Sequence, residues 1–283
     1  MKIPNRIQPL VDDGLIDDVV RRLKSGKEAD VYTVRCGAEI RCAKVYKEAA
    51  QRSFKQAVQY QEGRKVRNSR SARAMQKGSK FGRKQQEESW QTAEVDALFL
   101  LANAGVRVPK PYLCLDGVLL MELITDADGE VAPRLSDVML NEEEAETDFD
   151  TMIRHIVRML CAGIVHGDLS EFNVLMDAEG PVIIDLPQAV DAAANNHAKS
   201  MFERDVNNMT EYYGRFAPRL LKTHYGKEIW ALYEEGKLTP ETALTGQFSE
   251  DTPKADVDSL LDEIIAAEYE YHDRQRKLKE RDL

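Results

Sequence analysis

The run His166-Gly167-Asp168-Leu169-Ser170-Glu171-Phe172-Asn173 constrains this chain most, because it is followed, twelve positions after Asn173, by Asp185 within Ile183-Ile184-Asp185-Leu186-Pro187. Either Asp alone reads as a solvated loop residue; the set, in this order and spacing, does not. Between Asn173 and Asp185 the apolar runs 173–176 and 182–184 flank Glu179-Gly180. That pattern predicts a β-hairpin that folds both residues back to one point. A carboxylate that holds an attacking hydroxyl, beside oxygen ligands for a metal that neutralises a triphosphate, is what phosphoryl transfer from ATP requires. Asp168 is therefore read as the base, and Asn173 and Asp185 as Mg²⁺ ligands.

The amino-terminal half offers the parts such a site lacks. Lys24-Ser25-Gly26-Lys27-Glu28-Ala29-Asp30-Val31-Tyr32 is a turn opening into an alternating strand. Small, flexible residues there let backbone N–H groups approach phosphate oxygens, and Ser25 and Lys27 add a hydroxyl and a charge. Ser25, Gly26, Lys27 and Val31 are the nucleotide-contact candidates of this stretch, although with one glycine it is neither G-x-G-x-x-G nor a Walker sequence and by itself reads as a surface turn. Further on, Arg41-Cys42-Ala43-Lys44-Val45-Tyr46 is a second strand with Lys44 among small and apolar neighbours. A lysine so placed must be paired or bound to an anion. Its candidate partner is Glu94, on the amphipathic run Val95, Leu98, Phe99, Leu101, Ala102, because a strand lysine paired with a helix glutamate orients α- and β-phosphates in kinases. With Glu87 and Glu88 close by, Glu94 reads equally well as a solvated residue.

Taken together, Ser25–Tyr32, Cys42–Lys47, Leu119–Ile124, His166–Asn173 and Ile184–Val190 resemble the RIO family of atypical protein kinases, from about Lys24 to Asp205, and Glu203-Arg204-Asp205-Val206 fits a segment that follows the metal loop there. The resemblance implies an α+β, reduced bilobal kinase-like fold, with a β-rich N-lobe and a mainly helical C-lobe. It implies ATP and Mg²⁺ as cofactors, the roles above for Lys44, Asp168, Asn173 and Asp185, and Met121, Glu122 and Ile124 in the hinge beside adenine. It also implies a covalent aspartyl-phosphate, for which the Asp185 carboxylate is the candidate nucleophile. Gly167 stands where typical kinases place an arginine, Pro187 replaces the glycine of D-F-G, and no A-P-E follows. Lys24-Ser25 departs from the Ser-Thr usual in the family. The expected layout is an extension over 1–23, an N-lobe over 24–124, a C-lobe over 125–253, and a helix with a charged tail over 254–283. Some twenty residues upstream of Lys24 are too few for the winged-helix domain of one branch of the family, so the branch without it is expected.

Charge is distributed unevenly. The chain carries −10 overall, yet 51–84 holds eleven Lys and Arg against Glu62 alone, a +10 segment that leaves −20 elsewhere. With Gly63, Gly78 and Gly82 and few large apolar residues, it reads as a mobile insert. It is equally a solvated linker or an arm for phosphate backbones, with Tyr60 and Phe81 free to stack on unpaired bases. Since RIO proteins act in small-subunit maturation, the resemblance suggests ribosomal RNA as the partner.

Of 283 residues 43% are hydrophobic, enough for a sizeable core, and neither a membrane span nor a signal peptide is legible, so a cytoplasmic protein is expected. Cys36, Cys42, Cys114 and Cys161 read as reduced thiols, with a Cys36–Cys42 bridge across a hairpin at Gly37-Ala38 the lesser alternative. His166 is read as a brace for the catalytic loop. Phe149, Met152, Ile153, Ile156, Val157 and Leu160 mark a core helix with an acidic entry at Asn141–Glu146, and Val257, Leu260, Leu261, Ile264 and Ile265 mark another. The expected activity is that of an atypical serine/threonine kinase, an ATPase, or both. Aminoglycoside and sugar phosphotransferases, which also use H-G-D-L, are the alternative. A module that binds ATP only to order itself has no use for a base.

Overall fold

The computed structural model describes residues 3–26, 28–47 and 93–249. The chain divides into two compact units, Met1–Gln247 and Phe248–Leu283, and every element described lies in the first. Lys27, the basic segment 51–84, Glu87, Glu88 and the helix expected after 253 lie outside the described residues.

The amino-terminal half is a five-stranded antiparallel sheet in the order β1-β2-β3-β5-β4, formed by β1 (Asp18–Ser25), β2 (Ala29–Cys36), β3 (Glu39–Tyr46), β4 (Pro111–Leu115) and β5 (Val118–Glu122). Alternation along the strands separates two faces. Tyr32, Val34, Ala43, Val45, Val118 and Leu120 point to one, where Ile7, Leu10, Ile16 and Val19 cover them. Leu10 belongs to the short helix α1 (Gln8–Asp12), whose start is set by Pro9. Residues 3–23 thus hold α1 and most of β1, and fully burying side chains such as Leu10 stabilises the sheet by about 2 kcal/mol each. The opposite face carries Lys44, Tyr46 and Leu119, and α2 (93–103) brings Leu98 and Leu101 into the core beside it. Phe99, expected on the buried stripe, is 38% exposed because it falls on the outer side of α2.

The β2–β3 hairpin turns at Gly37-Ala38, as expected, but its register sets Cys36 opposite Glu39 and Cys42 opposite Thr33. The two thiols therefore never face each other, and all four cysteines are free.

The carboxy-terminal half packs around α3 (Glu142–Cys161). A capping box starts this helix: Asn141 accepts the Glu144 N–H, and the Glu144 carboxylate accepts the Asn141 N–H, each at 2.9 Å. The stripe Phe149, Met152, Ile153, Ile156, Val157 and Leu160 is buried throughout. Strand β6 (Ile164–Val165) pairs with β9 (Val190–Asp191), and the hairpin β7 (Val174–Asp177) and β8 (Gly180–Ile183) lies between them in sequence. Helices α4 (Ala198–Tyr213) and α5 (Tyr225–Glu234) complete the core, with Tyr213 edge-on to Phe149 at 5.8 Å. No helix among the described residues is long and apolar enough to cross a membrane.

Candidate active site

The loop after β6 is held by its own His166 and by side chains of α4. Asp168 is exposed, but the backbone on both sides of it is tied down. Buried His166 accepts the Asp168 N–H through Nδ1 at 3.3 Å, and its Nε2 lies 3.2 Å from the Ile184 carbonyl oxygen. Those partners assign the proton to Nε2 and make His166 the expected brace, here between the Asp168 loop and the segment that follows β8. From α4, buried Asp205 accepts the N–H groups of Gly167 and Leu169 at 2.7 and 3.1 Å. Arg204 donates to the Gly167 carbonyl, and Asn208 Nδ2 donates to the Leu169 carbonyl at 2.9 Å. Gly167 has φ +81°, a conformation that a side chain would strain. Although Asp168 is exposed, partial desolvation of its carboxyl raises it above its ordinary range, opposed by His166 and Arg204 and reinforced by Asp185. Gln188 Nε2 is 3.4 Å from Asp168 Oδ2 and orients that carboxylate.

The hairpin meets its expectation, with the turn one position earlier, at Ala178-Glu179. Asp177 Oδ1 accepts the N–H groups of Glu179 and Gly180, and Gly180, at φ +126°, supplies a backbone shape reserved for glycine. The Ile184 N–H donates to the Asn173 carbonyl at 3.0 Å, which brings Asp185 beside Asn173. Asn173 Nδ2 donates to the Asp168 carbonyl at 2.8 Å, which leaves its Oδ1 available as an acceptor. Asp185 sits at φ +69°, rare for a residue with a Cβ, and its side chain is 50% exposed.

Lys44 joins the halves of the site. Its ammonium bonds the Glu94 carboxylate and lies 3.1 Å from Asp185 Oδ1. The Tyr46 hydroxyl donates to Glu94 Oε2 at 2.8 Å, so Glu94 is buried with both oxygens satisfied, and the solvated reading falls. Burial works against the charge of Lys44, but Glu94 and Asp185 prevail and raise its affinity for the proton. Burial likewise pushes the Asp185 carboxyl up, and Lys44 overrides it, keeping the group below the ordinary carboxylate range. Among the described residues no cluster of three or more His, Cys, Asp or Glu could hold a metal. Asn173 and Asp185 fit Mg²⁺ of the kind that takes one or two side-chain oxygens and completes its shell with phosphate and water.

The remaining candidates are placed less directly. Gly26 N–H bonds the Ala29 carbonyl at 2.9 Å, and Lys47 Nζ reaches the Gly26 carbonyl, the Ser25 hydroxyl and Asp30 Oδ1 at 2.7, 3.3 and 3.2 Å. The Ser25 hydroxyl is thus already engaged by the latch that shapes its loop. Val31 stands opposite Lys44, and Met121 opposite Cys42, on one face of the sheet. The buried Cys42 thiol is pushed up to about 12. Glu122 gives its carboxylate to Arg107 and the Lys110 N–H, and its own N–H donates to the Lys110 carbonyl at 2.8 Å. Ile124 packs with Ala132, Val182 and Leu175 into an apolar floor.

A characteristic domain pattern matches residues 30–225: it is the RIO domain. The chain belongs to the RIO family. It is 35% identical over 210 residues to the RIO-type serine/threonine-protein kinase Rio1 of Haloferax volcanii, covering 74% of this chain and 68% of that one. It is 29% identical over 230 residues to human serine/threonine-protein kinase RIO1 and 28% over 212 to human RIO3. These alignments cover 81% and 72% of this chain, but the chain spans only 38% and 40% of the two human proteins. Relatives so named are protein kinases, not small-molecule phosphotransferases. Sheet and helices together are the reduced α+β kinase-like fold of that family.

Sequence reasoning missed Tyr46, Arg107, Gln188 and Asn208. Only Asn208 left a signal: with Arg204 and Asp205 it makes a polar i, i+3/i+4 patch on a helix whose neighbours Met201, Phe202, Val206 and Met209 are buried.

Proposed function

We propose that this chain transfers the terminal phosphoryl group of ATP, as an atypical serine/threonine kinase, an ATPase, or both. The observation that carries the reading is Lys44 held between Glu94 and Asp185 while Asn173 ties Asp185's strand to the Asp168 loop. In this reading Lys44 binds the α- and β-phosphates, Asp168 orients and deprotonates the attacking hydroxyl, and Asn173 and Asp185 hold the metal. Bound Mg²⁺ supplies charge neutralisation at the transferring phosphoryl group. Met121, Glu122 and Ile124 offer hinge backbone and apolar floor to the base. Together with the family's protein-kinase relatives, this makes a protein hydroxyl the acceptor class. A screen of protein and small-molecule acceptors with labelled ATP tests it: label on a protein or release of phosphate is expected, and label only on aminoglycosides or sugars would refute it.

A cytoplasmic setting and contact with ribosomal RNA belong to the same proposal. The RNA contact is supported by the +10 charge of 51–84 within an acidic chain.

A further inference from the structure

Two cations face this site, and among the described residues neither makes a side-chain hydrogen bond or ion pair. Lys24 lies near the end of β1, the edge strand of the sheet. Along β1, Arg21 stands opposite Thr33 and Arg22 opposite Tyr32; a bulge then absorbs Leu23, and Lys24 stands opposite Val31. In regular register Lys24 would oppose Asp30 and point to the face covered by α1. The extra residue turns it over, a common use of bulges near functional sites. Since Val31 in turn opposes Lys44, the side chains of Lys24, Val31 and Lys44 form one row across three strands. Strand spacing of about 4.8 Å puts the two lysine backbones about 10 Å apart, within joint reach of one oligophosphate.

Arg134 enters from the other side. It bridges antiparallel to Leu175 on β7, two residues beyond Asn173, and the neighbouring Pro133 carbonyl accepts the Met176 N–H at 2.9 Å. Burial, Arg134 and Lys44 work against the charge of Lys24 and Asp185 favours it, in keeping with the placement of Lys24 in the Lys44 row and of Arg134 beside β7. Glu94 and Asp185 both pair with Lys44; Lys24 is drawn to Asp185 only at longer range and is repelled by Arg134. Two cations without a hydrogen-bonded carboxylate, one on each side of Lys44 and Asp185, call for an anion.

We propose that Lys24 and Arg134 form a second cationic clamp, one jaw from each lobe, for the terminal phosphate of a nucleoside triphosphate. The proposal rests on the nucleotide reading above and deepens it. Strand order supports the terminal position. From the hinge end of β5, the sheet runs through Lys44 on β3 to Lys24 on β1, so a nucleotide with its base at the hinge meets Lys24 last. The clamp makes the site prefer a triphosphate to a diphosphate.

Calorimetric titration of the full chain with Mg-ATP and Mg-ADP tests this. Lys24→Ala and Arg134→Ala should each weaken ATP roughly tenfold, the loss of one charge-assisted hydrogen bond, with about twofold or less on ADP. Lys24→Arg should keep the wild-type preference, and Lys24→Glu should lose more than Lys24→Ala. An unchanged ATP-to-ADP ratio in Lys24→Ala, or an equal loss of both nucleotides, overturns the clamp while sparing the nucleotide reading. A wild-type chain that binds neither nucleotide overturns both. Lys24 is exposed on an edge strand, so its variants remain informative even if Arg134→Ala unfolds.

Discussion

Asp205 positions Asp168 without touching it, by accepting the N–H groups of the residues on either side of it. Burial pushes the Asp205 carboxyl up to about 6 from an ordinary 3.8, despite His166, the two N–H groups and Arg204. Because the folded value is raised, its contribution to stability is fully present below 3.8 and is lost as pH rises through about 6. Accepting both N–H groups, however, favours the ionised form, so fold and catalytic loop want opposite protonation states. Turnover should therefore fall as pH drops through about 6. Asp205→Asn should lack that limb and run roughly 100-fold slower, as a displaced catalytic group does. An identical acid limb in the variant's pH–rate profile would assign it to another group.

Asp168→Asn should abolish transfer and leave Mg-ATP binding nearly intact, since a general base contributes ~10²–10⁴ in rate and little to nucleotide affinity. Lys44→Ala should weaken ATP binding as well, because it frees Glu94, buried against Tyr46. Equal loss of affinity and turnover in Asp168→Asn would count against its assignment as base.

Arg107 ties β5 to the β7–β8 hairpin. Its guanidinium is bidentate to Glu122 at 2.9 and 3.1 Å and reaches Asp177 Oδ2 at 2.7 Å, while its carbonyl accepts the Ile183 N–H. Arg107→Ala leaves the Asp177 carboxylate, 8% exposed, without a cation. With partial solvent screening, a loss of about 1–2 kcal/mol is expected, a fall of roughly 3–6 °C in Tm for a chain of this size. A melting curve like the wild type's would show the network to be decorative.

Deleting 55–84 should spare basal ATP turnover and remove most RNA binding. If about five phosphates are contacted, log affinity should fall against log salt with a slope near −3.5, from ~0.7 per contact on single strands. Salt-independent binding, or full binding by the deletion, excludes an electrostatic arm.

Labelling with γ-labelled ATP, followed by hydroxylamine, locates any phosphate retained on the chain. Asp185 stays ionised and partly exposed, as a carboxylate nucleophile must. Loss of label with hydroxylamine, and none in Asp185→Ala, is the expected outcome. Label that survives hydroxylamine belongs to a hydroxyl.

What could be read from the sequence was whatever local spacing or burial dictates. Asn173 and Asp185 were placed together because a hairpin with a short turn has few alternatives, and Glu94 was found because an ammonium among apolar neighbours needs a carboxylate. Lys24 was different: nothing in Arg21-Arg22-Leu23-Lys24 announces a bulge, and a shift of one residue chooses the face. Gln188 and Arg107 were invisible because their partners, Asp168, Glu122 and Asp177, are brought to them only by the folded chain. The first helix was overlooked as part of the lobe because five residues carry too little periodicity to register.

The β7–β8 hairpin carries a consequence for how such a site can vary. Asn173 and Ile184 face each other across a ladder in which every further pair, from Val174 with Ile183 to Asp177 with Gly180, is added symmetrically. Residues can be inserted in matched pairs, one per strand, without moving Asn173 or Asp185. A single insertion on one side inverts the strand and carries Asp185 away from Lys44. The separation of the two residues is thus a matter of parity, and their interval in sequence can lengthen while their placement is kept.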